Sequence, residues 1–154
     1  MDAHAPAESL ERKARVLARL AAEGVPINAD QPAIGDGNAQ EAGPRDRAEI
    51  AWRAMALLVV AGRADGLAAP SVERIIRTYG LREHFTPREA AFLQQASPAR
   101  ADRLAFVWRY EAAWALLWAL GFVDHLDKPT APCDVTRALG ILQQRSSAQL
   151  ISDA

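Results

Sequence analysis

The chain has 154 residues, half of them hydrophobic, with 18 basic and 19 acidic side chains and a net charge of −1. This balance argues against a strongly basic nucleic-acid binder or an acidic tail protein. A single cysteine excludes an internal disulfide framework and a multi-cysteine zinc site.

Residues 1–7 read as an unstructured start without the charged-then-apolar pattern of a secretory signal, so a cytoplasmic location is expected. Over 8–23, Leu10, Leu17 and Leu20 with Ala14 and Ala21 recur at spacings of three and four, and charged residues cover the other sides. Gly24 supplies a left-handed stop and Pro26 prevents resumption. The basic residues Arg12, Lys13, Arg15 and Arg19 are interleaved with acids, which favours a solvated face over a membrane or nucleic-acid surface. Residues 25–44 form a long strap rich in proline and glycine, and its Gly35-Asp36-Gly37-Asn38 lacks the Lys-Ser/Thr that a phosphate loop requires.

The helical period returns at Arg45, where Ile50, Ala51, Ala54, Leu57, Leu58 and Ala61 form one stripe that Trp52, Met55 and Val59 widen. A helix this apolar is mostly buried, and Gly66 is its natural stop. Pro70 opens a short amphipathic helix closed by Gly80. Thr86-Pro87-Arg88-Glu89 carries a capping box, with Thr86 as cap and Glu89 reaching back. Ser97-Pro98 repeats the start signal for the longest expected helix, 98–121. After a polar loop, Asp134 caps a helix carrying Val135, Ala138, Leu139 and Leu142. No run alternates with a period of two, so the fold class is all-α: a single-domain bundle of six or seven helices, residues 8–154, around the tryptophan-rich helix. The longest uncharged apolar run, Ala112 to Val123, is too short for a bilayer span, which needs about 20 residues.

Chemistry concentrates on helix 98–121, which holds Trp108, Trp114 and Trp118. Glu111 is the carboxylate in its apolar half and requires a partner if buried. Arg47 and Arg53 of the earlier helix are candidates; Arg109 lies two positions away and points to another face. Glu111, Arg109, Trp108, Trp114, Trp118 and Arg53 therefore form the candidate set, read as a ligand pocket or as a buried ion pair within an aromatic core. Trp52 is expected on the same cluster. Asp124, His125, Asp127, Cys133 and Asp134 match no established ligand spacing, so neither a metal nor a cofactor is expected. Cys133 as nucleophile needs His84 or His125 brought near by the fold.

Four segments taken together are familiar: Arg12-Lys13, Gly24-Val25-Pro26-Ile27-Asn28, Thr86-Pro87-Arg88-Glu89, and the run Arg109-Tyr110-Glu111-x-x-Trp114-x-Leu116-Leu117-Trp118-Ala119-Leu120-Gly121 followed by Cys133-Asp134-Val135. The set resembles a widespread bacterial family known only as a domain of unknown function, over most of residues 8–150. The resemblance implies a helical cytoplasmic protein and carries over no catalytic residue. Members of that family continue into a second aromatic and basic helical segment, whereas this chain stops at Ala154 in what reads as the start of another helix. A shortened domain is thus expected, with an apolar face available to another protein or a second copy. The functional expectation is a protein-interaction or adaptor module rather than an enzyme, without nucleic-acid or membrane partners. The alternative is a small-molecule or enzymatic pocket at Glu111. A solvent-accessible cavity at Glu111 favours the second, and an arginine-sealed Glu111 the first.

Overall fold

Asp46 begins the longest helix by accepting a hydrogen bond from the Glu49 N–H at 2.8 Å, while the Glu49 carboxylate accepts the Asp46 N–H at 3.2 Å. The computed structural model describes residues 7–28, 30, 45–128 and 130–152. It divides into two compact units, residues 1–44 and 45–154. In the first, α1 spans Ala7–Ala22, starting within the expected unstructured segment, and Gly24 adopts the left-handed conformation at φ 70°. The remainder of the expected start, and of the strap apart from 25–28 and Asp30, lies outside the described residues.

The second unit is built on α2, Arg47–Asp65. Every residue from Ala54 to Ala64 is buried, so the helix is covered on all faces. Gly66 ends it at φ 117°, a conformation that side chains with a Cβ rarely adopt. Around it lie α3 (Ala69–Tyr79), α4 (Pro87–Leu93), α5 (Arg100–Val107), α6 (Arg109–Ala119), α7 (Val135–Gln143) and α8 (Ser147–Ser152). Each of these six touches α2, and α6 does so most extensively. A single 3₁₀ turn, Arg82–His84, precedes α4. Among the described residues there is no strand, and no helix is long and apolar enough to cross a membrane. The all-α class is as expected, with seven helices of seven or more residues and the six-residue α8 among the described residues. Its axis, however, is α2 and not the tryptophan-bearing segment.

Two caps follow their local signals closely. Thr86 Oγ1 accepts the Glu89 N–H at 3.3 Å, and Asp134 Oδ1 accepts the Arg137 N–H at 2.9 Å. The expected helix 98–121 is instead two helices. Trp108, at φ −64° and ψ −6°, makes a tight turn between α5 and α6, where an α-helix keeps ψ near about −42°. Neither proline nor glycine forces this break. It lets Phe106 stack on Phe92, with ring centroids 4.3 Å apart, while Tyr110 is buried beside Gly62.

Two apolar clusters result. The larger joins Met55 and Leu58 to Ile76, Leu81, Leu117, Leu142 and Leu150. The smaller holds Val60, Ala64, Phe92 and Phe106. Trp52 packs against the larger cluster, as Trp114 of α6 does, and stacks on His84 with planes 3° apart and ring centroids 4.6 Å apart.

Leu58, 1% exposed, and Trp108, 66% exposed, make a direct test of where the axis lies. Urea denaturation should show Leu58→Ala losing about 3 kcal/mol and Trp108→Ala staying within about 0.5 kcal/mol. Comparable losses at both positions contradict the central placement of α2.

Candidate functional site

The candidate residues do not converge on one carboxylate. Arg53, from α2, makes a two-pronged bond to Glu89: Nη1 to Oε2 at 2.7 Å and Nη2 to Oε1 at 2.7 Å. Glu89 is 1% exposed, and its Oε2 also accepts the Thr86 N–H at 3.0 Å. Arg109 approaches the same carboxylate, with Nε 3.9 Å from Oε1. One side chain thus completes the capping box of α4 and ties that helix to α2. Burial opposes the charge on Glu89, but the Arg53 bonds, the Thr86 N–H and the positive charge of Arg53 outweigh it and hold the carboxyl below its ordinary value. In the sequence Glu89 carries only its capping signal; the further clue was an arginine, Arg53, amid the apolar residues of α2.

Glu111 has different surroundings. It is half-buried, and its Oε1 accepts the Cys133 N–H at 2.8 Å. The expected arginine partners are engaged elsewhere, Arg53 with Glu89 and Arg47 with the Leu120 carbonyl at 3.0 Å. Glu111 lines a cleft of about 780 Å³ between α6, residues 126–128 and 130–134, and α7. Trp114, Cys133 and Arg137 share the lining, with the Arg137 guanidinium 5.9 Å from the Trp114 ring centroid. Burial, and then the nearby charge of Glu111, push the Cys133 thiol up to about 11. At neutral pH it is a thiol, which is poor chemistry for a nucleophile. His125 instead faces Asp127 at 3.4 Å, and His84 stacks on Trp52. Among the described residues no three His, Cys, Asp or Glu side chains are grouped to hold a metal.

The tryptophans are separated as well. Trp114 is half-buried in the cleft wall, whereas Trp108 and Trp118 are 66% and 46% exposed. The expected aromatic core around Glu111 is therefore corrected: Trp108, at the turn between α5 and α6, and Trp118, on α6, are both exposed. Leu104 of α5 is 56% exposed. On α6 the exposed residues are Ala112, Ala115, Trp118 and Ala119, none of them charged.

A family model described as a domain of unknown function, DUF4272, matches residues 12–154. The chain belongs to the DUF4272 family. No curated protein and no solved structure matches it. The DUF4272 match spans the Glu89 contact, the Glu111 cleft and the outward tryptophans together.

The Glu89 geometry sets an acid dependence in this DUF4272 chain. With the folded value lowered, the contribution is fully present above the ordinary glutamate value of 4.5 and is lost as pH falls through the lowered one. At pH 7, Arg53→Ala should lose about 2–3 kcal/mol, the low end for a broken buried pair because the arginine is partly solvated. The stability difference between wild type and Arg53→Ala, measured by urea denaturation, should shrink from pH 7 to pH 3. A constant difference contradicts the assignment.

Proposed function

We propose that this chain is a protein-interaction module of the bacterial cytoplasm that receives an apolar helix from another protein on the outer face of α5 and α6. The observation that carries the reading is the exposed apolar strip Leu104, Trp108, Ala112, Ala115 and Trp118. Contiguous apolar surface is unfavourable in water and marks contact sites when it is large. Tryptophan is enriched among residues that dominate binding energy, because its ring loses much surface to water at small entropy loss. The alanines between the two tryptophans leave a shallow path in which a second helix can approach to about 8–10 Å. Photo-crosslinking residues placed at positions 108 and 118 in the native host should capture the same heterologous protein, and Trp108→Glu should abolish that complex while leaving the circular dichroism unchanged. Crosslinks only to a second copy, or none from either position, overturn the reading.

The open cleft at Glu111 favours a second reading, a small-molecule site, because Glu111 faces a cavity and is not sealed by an arginine. Titration with a fragment set, followed on the Trp114 indole N–H resonance, should give saturable shifts that disappear in Glu111→Gln. Shifts that persist unchanged in that variant count against it.

A further inference from the structure

A second cavity lies on another side of α2. A groove of about 240 Å³ runs between α2, α3, α6 and α7, lined by Leu58, Leu67, Ile75, Leu139 and Leu142. Two polar side chains join this apolar lining, Tyr110 and Asp65. Tyr110 is 6% exposed, and its hydroxyl lies close to the carboxylate of Asp65, a residue exposed to solvent. Gly62 keeps space open beside the phenol: a Cβ there would lie 3.6 Å from Leu67 Cδ2 and 3.8 Å from Tyr110 Oη. An apolar cavity between helices, with a few convergent polar groups, is the usual form of a small-molecule site.

The two polar groups also specify the ligand's charge. Burial, followed by the nearby charge of Asp65, pushes the Tyr110 hydroxyl up to about 12. The phenol keeps its proton, and the nearby Asp65 carboxylate is the acceptor toward which that proton can turn, leaving the phenol oxygen as an acceptor. Both groups therefore offer acceptors to an incoming molecule, and Asp65 is the charged residue of the lining. An anion is repelled there, a neutral alcohol meets one of the two acceptors at most, and an ammonium group satisfies both with its several N–H donors.

We propose that this groove binds a small free amine, its apolar body on the leucines and Ile75 and its ammonium on Asp65 and the Tyr110 oxygen. The volume lies below the range usual for drug-sized ligands, about 300–1,000 Å³, which suits a molecule of phenethylamine size. The site is separate from the α5–α6 strip, so either assignment can fail without the other.

The test is methyl-resolved NMR titration of the full chain with phenethylamine, 2-phenylethanol, 3-phenylpropionate and the blocked lysine N-acetyl-lysine amide. Phenethylamine should give saturable shifts on the Leu58, Leu67, Ile75 and Leu139 methyls. The alcohol should bind about tenfold more weakly, the worth of one charge-assisted bond, and the acid should not bind. Asp65→Asn, at an exposed position, should weaken the amine at least about tenfold, Tyr110→Phe should weaken it less, and Glu111→Gln should leave it unchanged. Gly62→Ala, whose methyl meets only ordinary contacts, should narrow the groove and lower affinity while the fold is kept. Equal affinity for amine and alcohol, tighter binding of the blocked lysine, insensitivity to Asp65→Asn, or no saturable shift each overturns the proposal.

Discussion

A nineteen-residue helix buried on every side is the constraint on which the larger unit depends. From Ala54 to Ala64, α2 offers solvent no face, so the rest of the unit must surround it. Short helices do this by breaking often, and each break leaves backbone carbonyls without a helical partner. Arginine supplies the missing donors. Arg63, 9% exposed, bonds the carbonyls of Leu67, Gln95 and Ala96 at 2.8–3.1 Å, and Arg103 Nε reaches the Ala64 carbonyl at 3.0 Å. Arg47 does the same for Leu120 at the end of α6. A fork with five donors on a long stem can satisfy several acceptors from one backbone position, where lysine offers a single point charge. A composition of 16 arginines to 2 lysines thus has a structural use at helix ends.

Within this arrangement two carboxylates have opposite situations. Glu89 is sealed by Arg53 and by the backbone of its own cap, and so it holds helices together. Glu111 gives one oxygen to the backbone of Cys133 and faces open space. The properties expected of a single residue, a buried ion pair and a pocket carboxylate, are divided between two. The capping box at Thr86–Glu89 was readable because all its atoms lie within four residues. That its carboxylate also meets Arg53, thirty-six positions earlier, depends on where α4 rests on α2. Likewise, the partner of Glu111 is a backbone N–H, and no side-chain pattern marks a backbone donor in advance.

The tryptophans carry the same lesson. Aromatic residues on a nearly uncharged helix imply a core, and α6 does bury Tyr110, Ala113 and Leu117 against α2. Alanine fills much of the outward face without adding charge, so that face resembles the inward one in composition. Trp108, at the turn between α5 and α6, has its indole exposed. Apolarity on every side of a segment is equally compatible with full burial and with an exposed contact surface, and only the arrangement of its neighbours separates the two.

The sequence by itself determined which segments are helical, where most of them start and stop, and that α2 is interior. Those properties depend on side chains within a turn or two of each other: Asp46 with Glu49, Thr86 with Glu89, Asp134 with Arg137, and the left-handed glycines at 66 and 80. Tertiary structure alone decided the break at Trp108, the pairing of Arg53 with Glu89, the nearness of Tyr110 to Asp65 and the two open cavities. These arise where segments far apart in the chain share the limited surface of one buried helix, and the energy of that packing exceeds any local preference within a single turn.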